Sequence, residues 1–338
     1  MLQQRKNIST ILGAIRNMGL DGFMLALLSA IGLAYLWPYP GTAQSPLHLS
    51  TVSMYGVSVV FFFYGLKLHP GKLRTGIGNW KLHMMVHLST FVLFPLIALA
   101  LHPLFHRLGE DTMWTGVFFL AVLPSTVSSS VVMVSIAQGN IPAAIFNASI
   151  SSLLGVFLTP IWMGLVLGST NAHFDLWPVV GKLAFQVLLP VALGVVLNRR
   201  WGRWAEKNRD RIKLLDQSSI LLIVYTSFCA SFGERLFSGL GLAELLLLGL
   251  GMMSLFWFVY LLLLGLTNLL GFNREDKIAT LFCGSKKSLV QGAVMAKVLF
   301  AGPQAGLMLL PIMIYHALQL IMASALAQRM AQKHRLNI

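Results

Sequence analysis

Residues 278–300 read IATLFCGSKKSLVQGAVMAKVLF, an apolar run long enough to cross a bilayer that contains two consecutive lysines, Lys286 and Lys287. A basic residue near the bilayer centre costs roughly 2.5–3.5 kcal/mol on insertion scales. Snorkelling to an interface would avoid that cost, but neighbours on a helix point about 100° apart, which makes snorkelling by both difficult. We predict that at least one lysine is a buried positive charge facing a cavity. There it would attract an anion or titrate. Glycine and serine around the pair favour unwound backbone, and we include Ser285 and Ser288 with the two lysines among the substrate- or ion-binding residues.

A second polar cluster, PSTVSSS at residues 124–130, interrupts an earlier apolar run. Proline removes a backbone donor and disfavours helix just before it, and hydroxyls can bond the backbone of an unwound stretch. Helix packing through small polar residues is the alternative interpretation. Because the later cluster matches it, we predict a broken helix that faces a substrate or ion. The candidate hydroxyls are Ser125, Thr126, Ser128, Ser129 and Ser130.

The composition places both clusters in a membrane protein. Only 11% of the 338 residues are charged and 56% are hydrophobic, whereas soluble domains average about 25% charged residues. We predict an all-α polytopic membrane protein with one transmembrane domain over residues 1–338. Its ten predicted transmembrane helices cover about 22–37, 51–68, 80–101, 113–137, 141–168, 175–197, 217–234, 241–270, 276–300 and 304–328.

The net charge of +14 could indicate nucleic-acid binding, but the placement of the charges indicates membrane orientation. Nearly all lysines and arginines fall in every second connection between spans, and these connections lie on one side of the membrane. The largest group lies between residues 199 and 213. We predict that this side is the cytoplasm and that both termini lie there. The expected location is the cell (inner) membrane, with the lipid bilayer and no nucleic acid as partner.

The two halves of the chain resemble each other. Gly109-Glu110-Asp111 and Arg274-Glu275-Asp276 precede the two polar clusters, which themselves lie roughly 160 residues apart, and Gly139–Pro142 corresponds to Ala301–Pro303. Five spans per half is an odd number, so the second half would be inverted in the membrane. We predict two inverted five-helix repeats, at about 20–170 and 174–330, with broken helices 4 and 9. Matching interruptions in two halves are the best sequence indication of a transporter's binding site.

Other polar residues inside spans are weaker candidates, because a single intramembrane polar side chain often makes only an interhelical hydrogen bond. We include Thr90, Asn147, Ser149, Gln291 and His316 among the substrate- or ion-binding residues. Four further polar residues lie beside them without being assigned, namely His87, Ser151, Ser152 and Gln319.

Two histidine pairs, His83/His87 and His102/His106, have the i, i+4 spacing that suits zinc. Glu110 or Asp111 could complete the second set. We interpret these pairs as interfacial histidines and assign no metal ligand. No catalytic or cofactor-binding motif is present, so we expect neither an enzyme nor a cofactor beyond Na⁺ or H⁺ as coupling ion.

The stretches 124–130, Gly139-Asn140 with Thr159-Pro160, and 276–292 resemble the bile acid:sodium symporter superfamily, specifically its SBF-like branch. The resemblance covers nearly the whole chain. It implies a panel domain and a core domain whose broken fourth and ninth helices cross, and transport of organic anions with two sodium ions. Family sodium ligands would fall at Ser129 and Ser130, Ala144 and Ala148, and Thr90.

This sequence departs from the family pattern in the ninth helix. The family has a glutamate followed by Gly-x-Gln-Asn, whereas this chain has Cys283-Gly-Ser-Lys-Lys-Ser288 and no carboxylate. The missing charge weakens attraction for sodium, and a nearby lysine repels it. Our hypothesis is that a lysine ammonium stands where sodium would bind, which makes transport sodium-independent or proton-linked.

The sequence therefore favours a secondary active transporter of a small organic anion that works by alternating access. A sodium-coupled, bile-acid-like symporter that uses hydroxyl and carbonyl ligands is one alternative. A non-transporting membrane sensor or complex subunit is the other. Substrate flux in a reconstituted preparation separates transport from the last class.

Overall fold

The computed structural model describes residues 22–67, 78–170, 181, 184–238, 240–300 and 302–336, which contain helices and no β-strand. Six of the described helices are long and apolar enough to cross a membrane. The helices are α1 Gly22–Leu36, α2 Leu49–Leu66, α3 Trp80–Arg107, α4 Asp111–Val122, α5 Ser128–Ile136, α6 Ile141–Thr170, α7 Leu189–Lys207, α8 Arg209–Gly233, α9 Leu242–Leu269, α10 Arg274–Gly284, α11 Leu289–Leu299 and α12 Gln304–Leu336.

Helices lie in every predicted span, as expected for a multi-pass membrane protein. The predicted fourth span is divided into α4 and α5, and the ninth into α10 and α11. The beginning of the sixth predicted span lies outside the described residues, as do several of the basic residues that predict the orientation. Those residues are Arg5, Lys6, Arg16, Lys72, Arg74 and Lys182.

Four helices extend well past their predicted spans. α3 continues to Arg107, α7 to Lys207 and α12 to Leu336, and α8 already begins at Arg209. Hydropathy marks only the part of a helix that lies in hydrocarbon. The helix itself can continue into water, where its residues carry charged side chains. The spans inferred from the sequence therefore remain predictions of the membrane-embedded part of each helix, and the helices themselves are longer.

α2 and α7 approach each other through glycines. A Cβ atom at Gly65 would collide with the backbone of Val191, and one at Gly194 would collide with the backbone of Phe62. Small residues let the backbones of two membrane helices approach closely. Such close packing stabilises helix association in lipid, where the hydrophobic effect does not.

A buried carboxylate, Asp276, joins the beginnings of three helices, two from the first half of the chain and one from the second. It accepts hydrogen bonds from the side-chain amides of Asn79 (2.5 Å), Asn140 (2.7 Å) and Asn273 (2.9 Å). Each asparagine also accepts a backbone N–H in the first turn of α3, α6 or α10. One negative charge thus stabilises three positive helix N-termini.

We expect Asp276→Asn to lower the stability of the protein by about 2–3 kcal/mol, because hydrogen bonds to a buried charge are lost and amide groups face one another. The melting temperature in detergent measures this. The matched control is Glu275→Gln, which removes an exposed carboxylate from the neighbouring position. Equal melting of the two variants would contradict the assignment.

Candidate functional site

The two helix interruptions lie against each other. We call residues 123–127 the first break, residues 285–288 the second break, and the two together the crossing. The backbone N–H of Ser288 donates to the carbonyl of Pro124 (2.9 Å), and the hydroxyl of Ser125 donates to the carbonyl of Cys283 (2.6 Å). The Pro124 ring rests on Gly155 of α6, where a Cβ atom would collide with it. A proline at one break and a glycine opposite it therefore allow close approach.

Hydroxyl groups satisfy the carbonyls at the end of α10. The last turn of a helix leaves carbonyl oxygens without intrahelical donors, and inside a membrane no bulk water replaces them. Here every carbonyl from Leu281 to Ser285 accepts a side-chain hydroxyl. The donors, in order along the chain from Leu281, are Ser285 (2.6 Å), Ser130 (3.1 Å), Ser125 (2.6 Å), Ser89 (2.9 Å) and Tyr315 (2.7 Å).

The end of α4 is satisfied differently, by an ammonium group. Lys287 Nζ donates to the carbonyls of Ala121 (2.6 Å), Leu123 (2.8 Å) and Thr90 (2.8 Å). It also lies 4.1 Å from the centre of the Phe94 ring. An ammonium has three N–H donors, so three carbonyls use all of them. The C-terminal end of α4 is the negative end of its dipole, which favours a cation there.

The backbone at Lys287 is held in place by α12. The side-chain amide of Gln319 accepts the Lys287 N–H (2.9 Å) and donates to the Lys287 carbonyl (2.8 Å). The same amide nitrogen lies 2.8 Å from His316 Nδ1. His316 thus acts on the crossing through Gln319, which fixes the conformation of the second break.

Lys286 has a different environment. Its side chain is fully buried, and Nζ has no hydrogen-bond partner among the described residues. Gln291 Oε1 is likewise buried without a partner in that part of the chain. The first turn of α5 has no side-chain cap, and Val127 and Ser128 are exposed there. The crossing thus combines a buried cationic group that has no partner in the described chain with a helix N-terminus whose N–H groups can donate to an anion.

The remaining predicted residues divide into two groups. At the crossing, Ser129 donates to Thr126 (2.8 Å), which lies 2.8 Å from Ser130, and Ser288 caps α11. Away from it, Asn147 pairs with His83 Nδ1 (3.1 Å), and the Ser149 carbonyl accepts the Tyr64 hydroxyl (2.9 Å). Thr90 contributes its carbonyl to Lys287, while its own hydroxyl bonds Val86 within α3.

Four residues at the crossing were not predicted as site residues. Ser89 and Tyr315 cap α10, Gln319 bonds the backbone of Lys287, and the hydroxyl of Thr159 donates to the carbonyl of Val122 (2.7 Å) at the end of α4. Thr159 could have been found, because it belongs to a Thr-Pro pair that carries the family resemblance. Nothing in the local sequence of Ser89 distinguishes it from other helical serines.

Comparison with known proteins matches residues 21–332 to the model of the SBF-like CPA transporter family. An uncharacterized protein of Pseudomonas aeruginosa is 41% identical over 313 residues, 93% of each chain. The Escherichia coli protein YfeH, which carries symporter in its name, is 38% identical over 312 residues, 92% of each chain. The sodium/bile acid cotransporter 7 of Rattus norvegicus is 32% identical over 310 residues, 90% of this chain and 91% of the relative.

These matches confirm the resemblance found in the sequence and the expectation of a membrane transporter rather than an enzyme. They extend over the helices that build both breaks and over the helices that cap them. The chain therefore belongs to the SBF-like CPA transporter family.

Proposed function

We propose that this protein is a secondary active transporter of a small organic anion, in which Lys286 binds the anion and Lys287 replaces a coupling sodium ion. The observation that carries the proposal is the contrast between two adjacent buried lysines. The ammonium of Lys287 has three carbonyl partners, whereas that of Lys286 has none in the described chain.

The anionic substrate follows from electrostatics. A buried ammonium without a partner is unfavourable, and a bound carboxylate, sulfate or similar group would supply the missing charge and acceptors. The uncapped first turn of α5 adds N–H donors at the same crossing. Relatives named for bile acids, which are organic anions, support the same substrate class.

The position of Lys287 supports transport without sodium. Transporters with broken helices bind coupling cations with unwound carbonyls and with the C-terminal ends of half-helices. The Lys287 ammonium occupies two carbonyls of this kind at the end of α4, those of Ala121 and Leu123. Its third carbonyl is that of Thr90 in α3, a position that the family resemblance assigns to sodium binding. A sodium ion 4 Å from the ammonium would be repelled by about 4 kcal/mol at an effective dielectric constant near 20.

The proposed architecture is two inverted five-helix repeats that form a core and a panel domain, with both termini in the cytoplasm of an inner-membrane protein. The two breaks support it, since α4 and α10 both end at an interruption and the interruptions contact each other. Alternating access would move the core, which carries the crossing, against the panel.

A sodium-coupled symporter is the second candidate, and the name of the rat relative favours it. Its cation would need oxygen ligands other than those that Lys287 occupies. The hydroxyl oxygens of Ser129 and Ser130 each lie 2.8 Å from that of Thr126, and these three oxygens are the candidate ligand set.

Uptake by proteoliposomes tests the proposal. We expect flux of at least one compound from a panel of radiolabelled carboxylates and sulfates, at equal rates in sodium and in N-methylglucamine buffer. Empty liposomes and Lys286→Met protein are the controls. Sodium-dependent uptake that Ser129→Ala abolishes would establish the second candidate. A folded preparation that transports no anion of the panel would contradict transport of an organic anion.

A further inference from the structure

We propose that His102, His106 and Asp111 form a binding site for a divalent transition metal, with zinc as the favoured ion, at the turn that joins α3 to α4. The site is separate from the crossing and does not depend on the proposed substrate. Two imidazoles come from the last two turns of α3, and the carboxylate belongs to the first residue of α4.

The distances within this cluster suit one small cation. His106 Nδ1 lies 3.1 Å from Asp111 Oδ1, and His102 Nε2 lies 3.7 Å from the same oxygen. One ligand atom from each of the three residues can be chosen so that all lie within 4.8 Å of one another. Tetrahedral zinc with bonds of 2.0–2.1 Å separates its ligand atoms by about 3.3 Å. Small rotations of the side chains would therefore complete the geometry.

The turn between the two helices holds the ligands in register. Gly109 has a left-handed backbone (φ 73°), and its N–H donates to the carbonyl of His106 (3.1 Å). The next N–H, from Glu110, donates to the carbonyl of Phe105 (3.0 Å), which closes the end of α3. Asp111 then follows directly, so the hydrogen-bonded turn fixes how far the carboxylate lies from the histidines.

A buried tryptophan positions one of the imidazoles. The ring centres of His102 and Trp114 are 4.1 Å apart, and Trp114 is almost completely buried. The indole N–H donates to the carbonyl of Ala98 (2.8 Å), one turn before His102 on α3. A ligand that is already oriented loses little entropy on binding a metal. Trp114 also provides a fluorescent reporter in contact with the site.

The donor set determines the class of metal. Two imidazole nitrogens and one carboxylate oxygen suit Zn²⁺, Cu²⁺ and Ni²⁺, whereas Mg²⁺ and Ca²⁺ prefer all-oxygen sites. The side chains of His102, His106 and Asp111 are 37%, 70% and 54% exposed, so an ion can enter from water and keep water in the remaining positions. A bound ion would link the end of α3 to the beginning of α4, the helix that leads to the first break.

Metal binding to the purified, metal-free protein tests this inference, with an affinity tag that contains no histidine. We expect about one Zn²⁺ per chain by calorimetry and a higher melting temperature with Zn²⁺ but not with Mg²⁺. His106→Gln and Asp111→Asn should each weaken zinc binding at least tenfold. His48→Gln, which removes an exposed histidine elsewhere, should bind zinc as the wild type does.

Fluorescence gives an independent readout. Cu²⁺ should quench part of the tryptophan emission of the wild type, and that part should be absent in Trp114→Phe and in His106→Gln. Zinc affinity that is unchanged in both ligand variants would overturn the inference, as would equal stabilisation by Mg²⁺. Neither result would affect the proposal for transport, because none of these residues belongs to the crossing.

Discussion

Replacement of Lys287 by methionine is expected to lower the stability of the protein by about 3–5 kcal/mol and to abolish transport. The three carbonyls of Thr90, Ala121 and Leu123 would lose their shared donor inside the protein. Each unsatisfied buried carbonyl costs about 1–3 kcal/mol, and removal of one member of a buried charged cluster typically costs 3–5 kcal/mol. The melting temperature in detergent and uptake by proteoliposomes measure the two effects.

A smaller substitution tests whether Lys287 replaces a sodium ion. Lys287→Ser leaves space between the same three carbonyls and adds a hydroxyl oxygen, which together form a set of ligands for a small cation. We expect this variant to melt at a higher temperature in sodium than in N-methylglucamine, because an ion that binds only the folded state stabilises it by mass action. The wild type should show no such difference.

Lys297→Ser is the matched control for this experiment. Lys297 is another lysine of the second half, but it is only partly buried and its Nζ donates to the hydroxyls of Ser50 (3.1 Å) and Thr226 (3.4 Å). Its removal exposes no group of carbonyls, so sodium should not restore stability. If Lys287→Ser folds and melts at the same temperature in both salts, the ammonium does not occupy a cation site.

The sequence predicts the existence of the crossing better than its internal contacts. Pro124 and Gly284 disfavour a continuous helix, and the apolar runs around Lys286 and Lys287 leave the two lysines no nearby interface. These local features predict that at least one of the two lysines is buried, and in the structure both are. The different roles of the two side chains do not, because the partners of Lys287 lie up to 197 residues away along the chain.

The hydroxyls show the same limit. A run such as Pro124–Ser130 indicates an unwound segment, and we expected its hydroxyls to face a substrate or ion. In the structure Ser125 and Ser130 donate to carbonyls at the end of α10, a helix from the other half of the chain. Whether a serine caps a distant helix or binds a ligand depends on which helix end lies beside it, and that is a property of tertiary packing.

Lys286→Met is expected to abolish transport, as Lys287→Met does, but without loss of stability. Nζ of Lys286 has no hydrogen-bond partner among the described residues, so its removal leaves no carbonyl unsatisfied. Methionine fills a similar volume, and replacement of a buried polar group by a well-packed apolar one is often neutral or stabilising. We expect an equal or higher melting temperature.

Ligand-induced stabilisation then separates anion binding from a structural role. An anion that the wild type transports should raise the melting temperature of the wild type but not of Lys286→Met. Lys286→Arg keeps the positive charge and should retain part of the effect. Unchanged uptake by Lys286→Met would show that this lysine does not bind the substrate. A large fall in its melting temperature would instead assign Lys286 a structural role like that of Lys287. The change in melting temperature on replacement by methionine therefore distinguishes the roles of the two adjacent lysines.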